Sequence, residues 1–324
     1  MFRTELLFQP NNYKFGIYNE VLTIGSCFAE RIGEKLEQNK FKVKRNPFGT
    51  IFNPVALAYI LEKAILEKEV EEYTFLFNQN RWYNYLYHSF ISDETQAGLE
   101  KHINQVNKEL REVISSLDVL IITFGSALSY QLVNTNLAVA NCHKMPSYLF
   151  TKSFLSIGNI QSSIESIYKL IARIRPDIKI ILTVSPVRHI KETLITNSIS
   201  KSILRVAAHQ LTESNSSIVY FPAYEIMMDD LRDYRFYNAD MIHPNEVAEQ
   251  YIWNKFVTTF FDKKTINFLE EWESIQKSIK HKPFYPSTNS HQDFIQKLIS
   301  KIKLVEDKTN LDFSLEIQSL EQQL

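Results

Sequence analysis

A serine near residue 26 and an aspartate–histidine pair near residue 240 are the side chains best suited to chemistry. Ser26 lies in the string GSCFA at 25–29. A serine hydroxyl is a weak nucleophile at neutral pH and needs a base within hydrogen-bond reach. Asp240 and His243 are three residues apart, so in a tight turn the carboxylate can orient the imidazole and stabilise its protonated form. These residues predict acyl transfer through a covalent intermediate, although a serine before a helix also serves as an N-cap.

Short apolar, β-branched runs alternate with longer segments of helical periodicity. This alternation predicts a parallel sheet covered by helices on both faces, in a doubly wound, flavodoxin-like order. The predicted strands are 21–24, 41–45, 118–124, 179–184 and 217–221. The predicted helices are 29–38, 54–69 with Asn53 as N-cap, 163–174, 198–211, and 246–261 with Asn245 as N-cap.

The candidate residues follow the ends of these strands. Ser26 comes after the first strand and before a helix, while Asp240 and His243 come after the last. Ligands of open parallel sheets bind outside the carboxyl ends of the strands. We therefore expect an exposed Ser26 hydroxyl at this edge, with a helix dipole that favours a developing oxyanion.

Six ordered strings resemble the GSCFA domain family, which is grouped with the SGNH (GDSL-like) hydrolases. They lie at 23–30, 46–49, 123–126, 141–144, 185–189 and 224–243, within a resemblance that spans about 20–260. The resemblance implies a three-layer α/β/α sandwich, a bacterial source and esterase-like chemistry. It also implies that Ser26 is the nucleophile, that the Gly49 N–H helps to hold the oxyanion, and that Asp240 and His243 complete a catalytic triad.

The chain departs from the SGNH pattern at the third motif. SGNH enzymes generally carry an asparagine oxyanion donor shortly after the glycine that corresponds to Gly125, but Ser126 and two apolar residues follow it here. Loss of one such donor costs on the order of 10²–10³ in rate. Ser126, Asn141 and His143 are the candidates to substitute for it.

Three further groups of residues have roles that the sequence leaves open. Arg188 and His189 follow the fourth strand, where they either contact substrate or form a solvated turn. Ser200 and Lys201 are expected on the surface or in a pocket, and Cys27 is expected to pack beside Ser26 with a pKa lowered by the helix N-terminus. The alternating charges of 229–237 predict ion pairs that order the loop before Asp240.

Composition excludes several classes of function. The chain has 36 basic and 37 acidic residues, a balance that gives no reason to expect nucleic acid or a membrane as partner. The two cysteines are too few for a disulfide framework and lack metal-site spacing, which favours a cytoplasmic protein without metal or cofactor. Residues 1–18 do not resemble a signal peptide, and no apolar run reaches 18 residues.

We expect one hydrolase-like domain at 1–262 and a helical extension at 263–324, broken at 282–290 and suited to homo-oligomerisation. The aromatic segment 73–90 is expected to form a β-hairpin. The sequence favours an esterase or deacetylase acting on a small-molecule or saccharide acyl ester. An O-acyltransferase with the same acyl-enzyme, or a non-catalytic binding protein that keeps the fold, remain alternatives.

Overall fold

The computed structural model describes residues 4–7, 13–281, 283–285 and 288–324, so the predictions for 1–18 and 282–290 lie partly outside the described residues. At its centre is a five-stranded sheet in which every neighbouring pair is parallel, in the order β2-β1-β5-β8-β9. The five predicted strands and their flavodoxin-like order are confirmed. These strands are β1 (Val21–Gly25), β2 (Val43–Arg45), β5 (Val119–Phe124), β8 (Lys179–Val184) and β9 (Ile218–Phe221).

Helices cover both faces of this sheet, which confirms the three-layer α/β architecture. Asn53 and Asn245 cap their helices as predicted, each accepting hydrogen bonds from the first turn. The helices are α1 (Cys27–Gln38), α2 (Pro54–Ile65), α3 (Gln96–Ser116), α4 (Ile157–Ile174), α5 (Leu194–Ser214), α6 (Ala223–Glu225, continued by a π-helical turn Ile226–Asp230), α7 (Glu246–Phe260), α8 (Lys263–Ile279), α9 (Asn289–Thr309) and α10 (Ser314–Glu321).

The sheet separates two hydrophobic cores, because successive side chains of each strand point to opposite faces. On β5, Leu120 and Ile122 belong to the core beneath α2, α3, α4 and α5. Val119 and Ile121 belong to the core formed with α1, α7 and the C-terminal helices. Each fully buried aliphatic side chain contributes about 1.5–3 kcal/mol, so the near-continuous apolar strands are stabilised from both sides.

Two antiparallel hairpins are inserted next to the carboxyl edge of the sheet. The hairpin predicted for 73–90 is confirmed as β3 (Phe75–Asn78) paired with β4 (Arg81–Asn84). The hairpin β6 (Leu128–Leu132) with β7 (Phe150–Phe154) was not expected, because its short strands mix polar and apolar residues. Helix α3 was also not predicted, although its buried positions recur every three or four residues.

The C-terminal helices pack on the rest of the chain. Trp272 of α8, Ile302 of α9 and the nearby Phe313 are all buried in the α1/α7 core. The Trp272 indole N–H donates to the Gln38 carbonyl at 2.9 Å, at the end of α1. No helix among the described residues is long and apolar enough to cross a membrane. The proposed use of α8–α10 in homo-oligomers stays a prediction.

Candidate active site

The turn that carries Ser26 is held tightly against the neighbouring strand. Gly25 has φ +123°, and a Cβ atom there would lie 2.2 Å from the Thr123 carbonyl oxygen, so only glycine fits. The Ser26 N–H donates to the same carbonyl at 3.1 Å. The Gly25 N–H donates to Asn46 Oδ1 at 2.9 Å. Three strand ends therefore fix the position of Ser26.

Ser26 is buried, so the expectation of an exposed hydroxyl is wrong. Its relative exposure is 0%. The close packing of the Gly25 turn on β5 and the capping role of the side chain explain this burial. Ser26 Oγ accepts from the Phe28 N–H at 3.3 Å and is the N-cap of α1. Because the cap occupies only a lone pair, the hydroxyl proton stays available for a base.

Asp240 and His243 form the hydrogen-bonded turn that their spacing predicts. Asp240 Oδ2 lies 2.7 Å from His243 Nδ1, while Oδ1 accepts from the backbone N–H groups of His243 at 3.0 Å and Ile242 at 2.8 Å. These hydrogen bonds, first that from the His243 backbone and then that from its ring, lower the pKa of Asp240 to about 2. The ionised carboxylate fixes the proton on Nδ1 and leaves Nε2 as the basic nitrogen.

Ser26 and His243, both within the described part of the chain, do not hydrogen-bond to each other. The side chain of His243 is half exposed, whereas Ser26 is covered. His189 lies close enough to His243 for their charges to interact. Its pKa falls to about 4, chiefly because the ring is buried and also because the charges of Lys201 and His243 lie nearby. Catalytic hydrogen bonds are often long without substrate, so this geometry places the groups at one edge without assembling them.

The expected oxyanion donors are already engaged with the backbone. The Gly49 N–H donates to the Asn46 carbonyl at 2.7 Å, and the Ser26 N–H is held by Thr123. The Nδ2 atom of Asn46 is buried and has no hydrogen-bond partner among the described residues. Sequence reasoning missed this amide, although it lies in the string 46–49 and its side chain bonds to the residue before Ser26.

Ser126 is part of a local turn. Its Oγ accepts from the Leu128 N–H at 3.0 Å and lies 3.3 Å from Ser200 Oγ. Ser200 in turn accepts from the Ala127 N–H at 2.7 Å. The Ser126 side chain thus orders the exit from β5.

Asn141 and His143 are brought together with Ser89, which sequence reasoning did not single out. Asn141 Nδ2 donates to Ser89 Oγ at 3.2 Å, and Asn141 Oδ1 accepts from the His143 N–H at 2.8 Å. The His143 ring lies between Ser89 Oγ at 3.1 Å and the Asn84 carbonyl at 2.9 Å. The polar groups of both side chains are therefore used within this cluster.

Ser200 and Lys201 are both buried, so the expectation that they lie on the surface is wrong. The exposure of Lys201 is 1% and that of Ser200 is 3%, because both lie on the inward side of α5. Nζ donates to the carbonyls of Gly125 at 2.9 Å and Ser185 at 2.8 Å, which joins the ends of β5 and β8. Burial lowers the pKa of Lys201 to about 7. Its stripe position, three residues before the buried Leu204, was the signal that could have revealed it.

Cys27 does not have the lowered pKa expected beside a helix N-terminus. Burial raises the pKa of its thiol, and this effect exceeds the opposing influence of Lys201 and of the first backbone N–H groups. A thiol that stays protonated is a poor nucleophile. The structure therefore favours the packing role of Cys27.

His189 and Phe52 cover the turn after β5. The two rings meet edge to face with centroids 5.0 Å apart. Phe52 lies so close to Gly125 that a Cβ there would be 2.8 Å from its ring. His189 Nε2 is buried without a hydrogen-bond partner in the part of the chain that the structure describes. Both residues therefore restrict the space around Gly125.

Metal-binding clusters are not found in the described ranges. No group of three or more His, Cys, Asp or Glu side chains there is arranged to hold a metal ion. The ion pairs predicted for 229–237 do form, between Arg232 and Asp229 at 2.6 Å and between Arg235 and Asp233 at 3.9 Å.

Two family models match most of the chain. No curated protein is similar enough to the chain to count as a match. A solved structure described as "a putative platelet activating factor from Streptococcus pneumonia" is 14% identical, with a TM-score of 0.38 over 74% of this chain and 85% of that one. Residues 272–324 match the model of the GSCFA domain protein, C-terminal domain, and residues 20–256 match that of the GSCFA family. The chain therefore belongs to the GSCFA family.

Proposed function

We propose that this protein is a serine-type hydrolase of acyl esters, of the SGNH kind, with Ser26, His243 and Asp240 as its triad. The observation that carries the proposal is the 2.7 Å contact between Asp240 Oδ2 and His243 Nδ1, in a turn at the carboxyl edge of the sheet. It leaves His243 Nε2 as a base, and Ser26 keeps a transferable proton.

The reaction follows from these groups. His243 Nε2 takes the Ser26 proton as Oγ forms a bond to the ester carbonyl carbon, and Asp240 stabilises the imidazolium. Collapse of the tetrahedral intermediate breaks the bond to the alcohol oxygen, which receives the proton from His243. Water then attacks the acyl-enzyme with the same base and releases the acid. Attack requires Ser26 and His243 to approach each other when substrate binds.

The oxyanion needs donors that the backbone of this edge does not leave free. In this proposal Asn46 Nδ2 is the oxyanion donor that replaces the missing third-motif asparagine. This nitrogen has no hydrogen-bond partner among the described residues, and the oxygen of the same side chain accepts from the Gly25 N–H. In this proposal a small shift of the 46–49 turn also frees the Gly49 N–H. Acyl transfer to an alcohol instead of water would use the same groups.

Labelling by a fluorophosphonate probe tests the proposal. We expect the intact protein to be modified on Ser26 and Ser26→Ala to be unlabelled. Ser89→Ala is the matched control, because Ser89 also hydrogen-bonds to a histidine. It should be labelled as the intact protein is. A label on Ser89, found by peptide mass mapping, would move the nucleophile to the other serine.

A non-catalytic binding protein is the second candidate, favoured by the burial of Ser26 and by its use as an N-cap. Under that alternative the intact protein takes up no probe and hydrolyses no acyl ester, even when both are in large excess. Labelling of Ser26 together with turnover of a simple acetyl ester would exclude it.

A further inference from the structure

Arg188 lies directly beside the Asp240–His243 turn. It follows β8 by four residues, and its N–H donates to the Ile242 carbonyl at 3.3 Å. His189, the next residue, is near enough to His243 for their charges to interact. The backbone of Arg188 therefore adjoins the turn that carries the base.

The guanidinium group is held in place by two aromatic rings. Its Cζ atom lies 4.3 Å from the ring centroid of Tyr237 and 5.2 Å from that of Tyr234. Both tyrosines and Arg188 line a cavity of about 130 Å³, whose lining also includes Arg232 and Asp233. Stacking on aromatic faces suits the planar, weakly hydrated guanidinium and lowers the cost of ordering it for a ligand.

Arg188 is half-buried, yet no carboxylate of the described residues lies within 4.0 Å of it. The other two arginines of this region are paired, Arg232 with Asp229 and Arg235 with Asp233. The acidic side chain nearest the base, Asp240, is taken by His243. Apart from its hydrogen bond with the Tyr237 side chain, the stacked guanidinium keeps donors whose fork geometry matches a carboxylate or a phosphate.

Resting on the proposed function, we propose that Arg188 binds an anionic group, a carboxylate or a phosphate, on the alcohol portion of the ester substrate. The position of Arg188 favours the alcohol portion of the ester over the acyl portion. In serine hydrolases the base returns its proton to the leaving group, which must therefore lie on the histidine side, and Arg188 stands on that side.

Matched acetyl esters test this inference. The anionic substrates are 4-acetoxybenzoate and 4-acetoxyphenyl phosphate, and the neutral one is methyl 4-acetoxybenzoate. We expect Arg188→Met to lower kcat/KM for one or both anions by about 10-fold to 100-fold, as for a lost charge-assisted hydrogen bond. The neutral ester should change less than about 3-fold. The anion that loses more identifies the group.

Two further variants separate recognition from structure. Arg188→Lys keeps the charge without the bidentate fork and should recover only part of the loss. Arg235→Met removes a paired arginine from the same region and should leave the ratio of anionic to neutral turnover unchanged. An equal loss on all three esters in Arg188→Met would assign the residue to ordering the loop and overturn the inference.

The inference and the proposed function fail in different ways. If the neutral ester is hydrolysed through Ser26 but Arg188→Met does not lower kcat/KM for the anionic esters selectively, only the inference is wrong. If no ester is turned over, the proposed function is wrong. Calorimetry with benzoate and phenyl phosphate then tests the anion site by itself. Binding that Arg188→Met weakens about tenfold or more supports the anion site, and equal binding overturns it.

Discussion

Two histidines of this molecule make hydrogen bonds with polar side chains, but their surroundings are opposite. His243 is half exposed, has one ring nitrogen hydrogen-bonded to Asp240, and has no partner for the other nitrogen among the described residues. His143 is 5% exposed, uses both ring nitrogens, and stacks on Tyr83 with centroids 4.9 Å apart. The difference teaches that an available nitrogen, and not the number of partners, distinguishes a histidine suited to proton transfer.

The tautomer of His143 follows from its partners. The Asn84 carbonyl can only accept, so Nε2 carries the proton and Nδ1 accepts from the Ser89 hydroxyl. Burial lowers the pKa of His143 to about 4, which keeps the ring neutral near pH 7. This closed network joins the segment after β4 to the loop before β7.

The largest expected effect comes from His243→Ala. Loss of the base should lower kcat/KM on a neutral acetyl ester by about 10⁴-fold, the upper range for a general acid–base residue. Initial rates, with stability checked by thermal unfolding, measure it. His209→Ala, at an exposed position on α5, is the control and should keep full activity. A folded His143→Ala that loses as much activity as His243→Ala would reverse the comparison.

Asp240→Asn should have a smaller effect, about 10²-fold in kcat/KM, because half-exposed pairs are screened by solvent. The pKa of about 2 lies below the usual 3.8 of an aspartate. The contribution of the carboxylate to stability is thus complete above pH 3.8 and lost as the pH falls through 2. In the wild type, titration of Asp240 should therefore cause no change in kcat/KM between pH 4 and 9. Protonation of the base already lowers turnover at acid pH, so the contradicting result is a second proton-dependent step near pH 4, steeper than the single-proton limb of the base, in protein that stays folded.

The His143→Asn variant should keep the esterase activity of its folded fraction but have a lower free energy of unfolding. We expect a loss of about 1–3 kcal/mol in the free energy of unfolding at pH 7.5, for a broken buried hydrogen-bond pair. Urea unfolding measures it. If esterase activity falls by more than the folded fraction does, the cluster takes part in the reaction.

The same variant should also alter the acid dependence of stability. The pKa of His143 in the fold, about 4, lies below the usual 6.5. Its contribution is therefore complete above pH 6.5 and declines on acidification to pH 4, by on the order of 3 kcal/mol. His143→Asn removes this decline, while His189, with a similar pKa, retains its own. Identical urea midpoint shifts between pH 7.5 and 5 in both proteins would refute the assignment.

Much of the fold could be predicted from the sequence because its strands are continuous apolar runs. The run at 119–124 is buried along its whole length and could not be mistaken for a half-exposed strand. The β6–β7 hairpin could not be recognised, since residues such as Ser153 and Lys152 are exposed and impose no period.

The site was predictable in its chemistry and less so in its contacts. The spacing of Asp240 and His243 sufficed for their pairing, because both belong to one turn. The burial of Ser26 and Lys201 depends on how separate strands and helices pack, which local sequence does not report. The same reason hid the partnership of Ser89 with His143, residues 54 apart in the chain.

The core shared by α1, α7 and the C-terminal helices has a consequence for synthesis. Val21 and Leu320 belong to the same buried cluster, at nearly opposite ends of the chain. At about 5–20 residues per second, the ribosome makes roughly 300 residues in 15–60 s. During that time the apolar surface on which α8–α10 finally pack stays uncovered. We therefore expect the growing chain to be prone to aggregation until these helices have been made.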